Sequence, residues 1–175
     1  MQTKKLLLFA VLFTALAIVG RLIEHPWNFT PIGALMLFSG FMLPRRFLWI
    51  PLTSLVATDV IIGTYQWQIM LVVYGSYALT VAAAYTYRSS YGFMKAIGSS
   101  VGAAVGFFLI TNAAVWLWSG MYGAGASGLL ASYVAAVPFF RNSLAGYTLF
   151  SAVFFGIYEI VRVPLSMRAR AAARS

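Results

Sequence analysis

Cysteine is absent from this chain of 175 residues, which excludes disulfides, thiolate nucleophiles and cysteine-based metal sites. Acids are nearly absent too: Glu24, Asp59 and Glu159 are the only three, and His25 is the only histidine. A metalloprotease needs several clustered ligands, which one imidazole and scattered carboxylates do not supply. An intramembrane serine protease needs serine and histidine on helices inside the bilayer, whereas His25 precedes Pro26 between two apolar runs. No Walker-type phosphate loop occurs, so any use of ATP falls to a partner. The inventory argues against an enzyme.

What is present is apolar: 62% of the residues are hydrophobic. The expected fold class is an all-α integral membrane protein, one transmembrane domain of six helices at about 6–20, 30–43, 47–62, 69–87, 95–118 and 143–162. With the connecting segments numbered alternately, Lys4, Lys5, Arg45, Arg46, Arg88, Lys95, Arg162, Arg168, Arg170 and Arg174 share one side, and only Arg21 and Arg141 fall on the other. Basic loops resist translocation, so both termini are expected in the cytoplasm of a bacterial inner-membrane protein. The net charge of +9 is spread along membrane flanks, a pattern for topology and anionic lipid rather than nucleic acid. Lys4, Lys5 and Ala15-Leu16-Ala17 mimic a cleavable secretion signal, but removal would break the charge symmetry, so the first helix is expected to be retained.

The second and third runs are short and cut by Pro31, Pro44 and Pro51, which predicts local thinning, tilt or a broken helix. The stretch 119–142 is read as a long outer loop and the best lid candidate, its apolar part Leu129–Phe140 lying along or re-entering the membrane and ending at Pro138. Gly98, Gly102 and Gly106 form a flat stripe on helix 5, suited to packing in the bundle or to docking a partner subunit. No internal repeat is evident, so an inverted-repeat transporter is not supported.

Asp59, near the outer end of helix 3, is costly at membrane depth and must pair or face a cavity. Arg21 or Arg141 are the available partners. Polar and aromatic residues converge on the same outer half: Asn28, Tyr74, Tyr77, Asn112, Trp116, Tyr133 and Asn142, with Tyr65, Trp67 and Trp118 read as the interfacial aromatic belt. Asn112 and Tyr74 lie deeper and need hydrogen-bond partners, which favours a cavity wall. Glu159 and Arg162 are spaced as a local ion pair.

The run from His25-Pro26-Trp27-Asn28-Phe29-Thr30-Pro31, followed by Asp59, Val73-Tyr74, Thr111-Asn112 with Trp116 and Val137-Pro138-Phe139-Phe140-Arg141-Asn142, resembles a family of small six-helix membrane proteins. These are the substrate-binding (S) components of energy-coupling-factor vitamin transporters, in particular the solitary cobalamin-transporting BtuM-type proteins. The resemblance covers residues 20–147 and implies a bundle whose substrate cavity opens outward, with the family's histidine, acid and tyrosine falling on His25, Asp59 and Tyr74. Taken with the converging polar and aromatic residues, the expected substrate-binding set is His25, Asn28, Asp59, Tyr74, Asn112, Trp116, Tyr133, Arg141 and Asn142. The resemblance also implies uptake of a micronutrient, a corrinoid foremost, with no intrinsic cofactor and with or without an ATP-driven coupling module. His25 would be the axial ligand to the corrinoid cobalt. BtuM-type members carry a cysteine thiolate at the cobalt; the matching stretch Ile69–Val73 has none, so thiolate-assisted decyanation is not expected. The alanine pairs by which S components dock would here be Ala10/Thr14 and Thr53/Ala57. The alternative, from another class, is a structural or assembly subunit of a larger membrane complex.

Overall fold

The computed structural model describes the backbone of residues 3–172 and the side chains of residues 4–162. The charges of Arg168, Arg170 and Arg174 lie outside the described side chains. Six α-helices follow one another: α1 (Thr3–Leu22), α2 (Ile32–Met42), α3 (Ile50–Ile62), α4 (Trp67–Thr86), α5 (Phe93–Trp118) and α6 (Gly125–Ala172), with 3₁₀ turns at Arg45–Phe47 and Arg88–Ser90. There is no strand among the described residues.

Every residue of α2 is buried. Its sequence is apolar on all sides, and a helix with no polar face is satisfied only when neighbours surround it; α1, α3, α4, α5 and α6 all pack against it. At 1.5 Å per residue its 11 residues reach roughly 16 Å, well short of about 30 Å of hydrocarbon. Close approach is built in at Gly40, where an added Cβ would come within 2.5 Å of the Val81 carbonyl oxygen on α4. Below the middle of α2 the interior is a solid aromatic block. The fully buried Phe38 ring meets Phe13, Phe155 and Tyr158, and Phe13 stacks on Phe154 with centroids 4.2 Å apart.

Among the described residues, four helical segments are long and apolar enough to cross a membrane: Lys4–Leu22, Trp67–Thr86, Phe93–Trp118 and Gly125–Arg162. Their outer faces carry Leu8, Leu12, Leu71, Leu79 and Leu130, each more than half exposed. So much outward apolar surface is untenable in water; it is consistent with a multi-pass membrane protein.

Two boundaries differ from expectation. The third helix starts at Ile50 rather than 47, because residues 45–47 close a 3₁₀ turn and Pro51 sits in the first turn of α3. The larger difference is at 119–142. Only residues 119–124 form a connection; from Gly125 the chain is helical and runs straight on through Pro138 into the expected sixth span. A lid made of a loop at 119–142 is therefore replaced by the first half of α6. Proline removes one backbone hydrogen bond, which a membrane helix tolerates when its neighbours hold it. Here α5 does so: the Tyr133 hydroxyl donates to the Leu109 carbonyl at 2.9 Å, and Phe108 packs on Phe140 with centroids 4.6 Å apart. The 38-residue stretch Gly125–Arg162 would measure roughly 57 Å as a straight helix, and even a tilt of about 40° leaves about 44 Å, so α6 is longer than the hydrocarbon is thick.

Candidate functional site

A cavity of about 440 Å³ opens at the end of the bundle away from the two basic 3₁₀ turns. Ile32, at the start of α2, lines it, whereas the other end of α2 runs into Arg45. The aromatic block closes the lower half of the bundle; the cavity occupies the upper half, between the end of α1, the 23–31 segment, α3, the start of α4 and the hairpin of α5 and α6.

One wall is ionic. Arg21, in the last turn of α1 where the helix dipole favours a cation, reaches α3 and pairs with Asp59 Oδ1. Its other terminal nitrogen donates to Thr58 Oγ1 at 2.7 Å. The second Asp59 oxygen accepts from the Tyr74 hydroxyl of α4 at 2.7 Å. Asp59 is only 2% exposed, and the set ties α1, α3 and α4 together at the cavity edge. Tyr65, in the connection between α3 and α4, faces the same pair. Desolvation first, then the negative charge of Asp59, push its hydroxyl up to about 12 against the opposing pull of Arg21, so it remains a neutral donor.

The rest of the wall is aromatic. Trp27, Tyr77, Phe107, Phe108, Phe140 and Tyr147 line it, with Asn112 and Ser143 between them. Asn112 donates its amide to the Phe108 carbonyl at 2.8 Å, which leaves its side-chain oxygen for a guest. Tyr147 is 3% exposed, and its buried hydroxyl lies near that of Tyr77 without a hydrogen bond of good geometry among the described residues. Its ring lies directly on Gly33: a Cβ there would fall 2.1 Å from the ring.

The 23–31 segment caps the opening. The Phe29 amide donates to the Pro26 carbonyl at 2.9 Å to make a turn, and Asn28 takes a left-handed backbone with φ 63°, which asparagine tolerates better than most residues. His25 Nδ1 lies 2.9 Å from the Pro26 carbonyl oxygen. A carbonyl only accepts, so Nδ1 carries the proton in the neutral ring and Nε2 presents its lone pair.

Of the residues expected to bind substrate, His25, Asn28, Asp59 and Asn112 come together around the cavity. The other five do not line it. Tyr74 stands behind Asp59 as its hydrogen-bond donor. Trp116 donates to the Gly123 carbonyl at 3.0 Å and closes the α5–α6 connection, while Tyr133 clamps α6 to α5. Asn142 donates to the Trp27 carbonyl at 3.0 Å and holds the capping segment. Arg141 is exposed and makes no ion pair among the described residues. The Asp59 partner is Arg21. Tyr65, assigned to the interfacial belt, lines the cavity instead.

Phe107, Phe108 and Tyr147 are not picked out from the sequence, and Thr111 enters there only beside Asn112. The α5 set 107, 108, 111, 112 and 115 has a one-face helical spacing that marks a stripe. Its α6 counterpart, 136, 139, 140, 143 and 147, was hidden because its first half was read as a loop. No group of three His, Asp or Glu fit to hold a metal ion exists among the described residues. The cavity is thus a mostly apolar recess with a few fixed polar groups, the usual make-up of a small-molecule site.

No curated protein and no solved structure matches the chain. The model of one family, described as "Family of unknown function (DUF6580)", matches residues 1–170, and the protein belongs to that family.

Proposed function

We propose that this protein captures a small micronutrient at the outer face of a bacterial inner membrane and carries it inward, in the manner of the S components it resembles. In this reading it is a six-span bundle with both termini cytoplasmic. It is not an enzyme, and it works alone or with an ATP-driven coupling module. The observation that carries the proposal is the aromatic recess beside the Arg21–Asp59 pair, set at the end of the bundle away from the basic turns. Flat rings stack on aromatic walls, and Asn112, Ser143 and Asn28 offer hydrogen bonds that orient them. Because Arg21 and Asp59 neutralise each other, the site suits a guest of low net charge.

A volume of about 440 Å³ suits a vitamin of one or two ring systems. A whole corrinoid is larger and would lie across the opening, where the free Nε2 of His25 meets an axial position of cobalt. The test is a titration of purified protein with hydroxocobalamin and, in parallel, with a panel of heteroaromatic vitamins, followed by cobalt absorption bands and by tryptophan emission. The reading expects saturable binding of one of these. Loss of a cobalt band shift in His25→Ala would place His25 on the metal; binding with no band shift would remove it. Failure of every ligand, together with a protein chain that co-purifies stoichiometrically, would favour an assembly subunit.

A further inference from the structure

A second cleft, of about 320 Å³, runs down the flank of the bundle between α4 and α5, with Leu37 and Phe41 of α2 as its floor. We infer that it holds one acyl chain of an anionic phospholipid whose headgroup is gripped by Arg88 and Lys95.

The walls are two regular stripes. On α4 the cleft is lined at positions 76, 79, 80, 83, 84 and 87, and on α5 at 99, 102, 103, 106, 107 and 110. Both follow the three- and four-residue spacing of a single helix face. Extending each stripe toward the basic end of the bundle gives a cation: Arg88 directly after Tyr87, and Lys95 one turn before Ser99. Neither side chain lines the cleft itself: Arg88 donates to the Leu43 carbonyl at 3.3 Å with its guanidinium over the Tyr85 ring, beyond the cleft's basic end, while Lys95 is exposed. Neither has an acidic partner among the described residues, since Asp59 is held by Arg21 and Glu159 by Arg162.

The cleft is lined mainly by apolar side chains. Ser76 and Thr80 spend their hydroxyls on their own helix, at 2.7 and 3.0 Å. Gly102 and Gly106 meet nothing within 4 Å, so the slot they leave is not filled by any described residue. From Ser76 to Tyr87 the cleft extends roughly 16 Å, close to one leaflet's share, about 15 Å, of the hydrocarbon thickness. A helix of that length and about 10 Å across has several times the volume of the cleft. A single acyl chain is slim enough to enter, and its phosphate then arrives level with the two cations.

The inference stands whether or not the outer cavity binds a micronutrient. The full-length protein, stripped of lipid in detergent, is offered equal phosphatidylglycerol and phosphatidylcholine and weighed by native mass spectrometry. One phosphatidylglycerol per chain is expected, with a preference that falls about five-fold in Lys95→Gln. Gly102→Leu with Gly106→Leu, which fill the slot and favour the helix, should lose both lipids while circular dichroism stays unchanged. Equal retention of the two lipids by the wild type, or unchanged retention in the leucine variant, would overturn the inference. So would displacement of lipid by excess glycerol phosphate, which would reduce the site to an anion contact, or a dimer that the leucine variant dissolves, which would hand the cleft to a second copy.

Discussion

Replacing Asp59 by asparagine tests the ionic wall. The side chain keeps its shape and can still accept from Tyr74, but Arg21 loses its counter-charge in a site where its own side chain is only 18% exposed. A charge pair at about 4 Å is worth about 4 kcal/mol at the effective dielectric of a protein's margin, and breaking a buried pair from one side costs about 3–5 kcal/mol. Arg21 retains bonds to Thr58 and Leu55, so the lower end, about 3 kcal/mol, is expected for Asp59→Asn, whereas Arg21→Met leaves the buried carboxylate with Tyr74 alone and should fall toward the upper end, about 5 kcal/mol. The double variant removes both charges and should cost about 1–2 kcal/mol, less than either single change. The assay is reversible unfolding by SDS in mixed micelles, with all four proteins compared. Single changes that simply add in the double variant would refute the pairing. A neutral Asp59→Asn that abolishes ligand binding would make the carboxylate a ligand contact instead.

Two further substitutions probe Tyr147. Gly33→Ala puts a methyl where the tyrosine ring now lies, so it should cost about 1–3 kcal/mol and force the ring into the cavity, weakening ligand binding with it; unchanged stability and binding would show that α2 shifts freely. Tyr147→Phe removes a buried hydroxyl that makes no hydrogen bond of good geometry among the described residues, and it should leave stability unchanged or raise it by about 1 kcal/mol; a loss above about 1 kcal/mol would show that the neighbouring Tyr77 hydroxyl bonds it.

Charge and hydropathy made the coarse arrangement readable. They singled out the half of the bundle in which Asp59, Asn112, His25 and Asn28 meet, because a charge at membrane depth has few tolerable surroundings. They report depth along a helix better than direction around it. Trp116, Tyr133 and Asn142 lie at the right level, yet they face the α5–α6 connection, α5 and the capping segment respectively. Pro138 misled for a related reason: proline is a strong breaker in isolation, but the close packing of α5 on α6 carries the helix through it. The buried environment of α2 likewise turned a run too short to span hydrocarbon into the central pillar. The glycines of α5 were legible as a flat stripe, but only the packing shows that they border an open cleft.

Because the chain has no cysteine of its own, single introduced cysteines give the most direct test of an outward-facing ligand site. In intact cells, Asn28→Cys should react with a membrane-impermeant thiol reagent added outside, and ligand found in the titrations should protect it. Arg46→Cys should react only after the cells are permeabilised. Labelling of Asn28→Cys only after permeabilisation, or labelling that saturating ligand leaves unchanged, would contradict an outward-facing binding cavity.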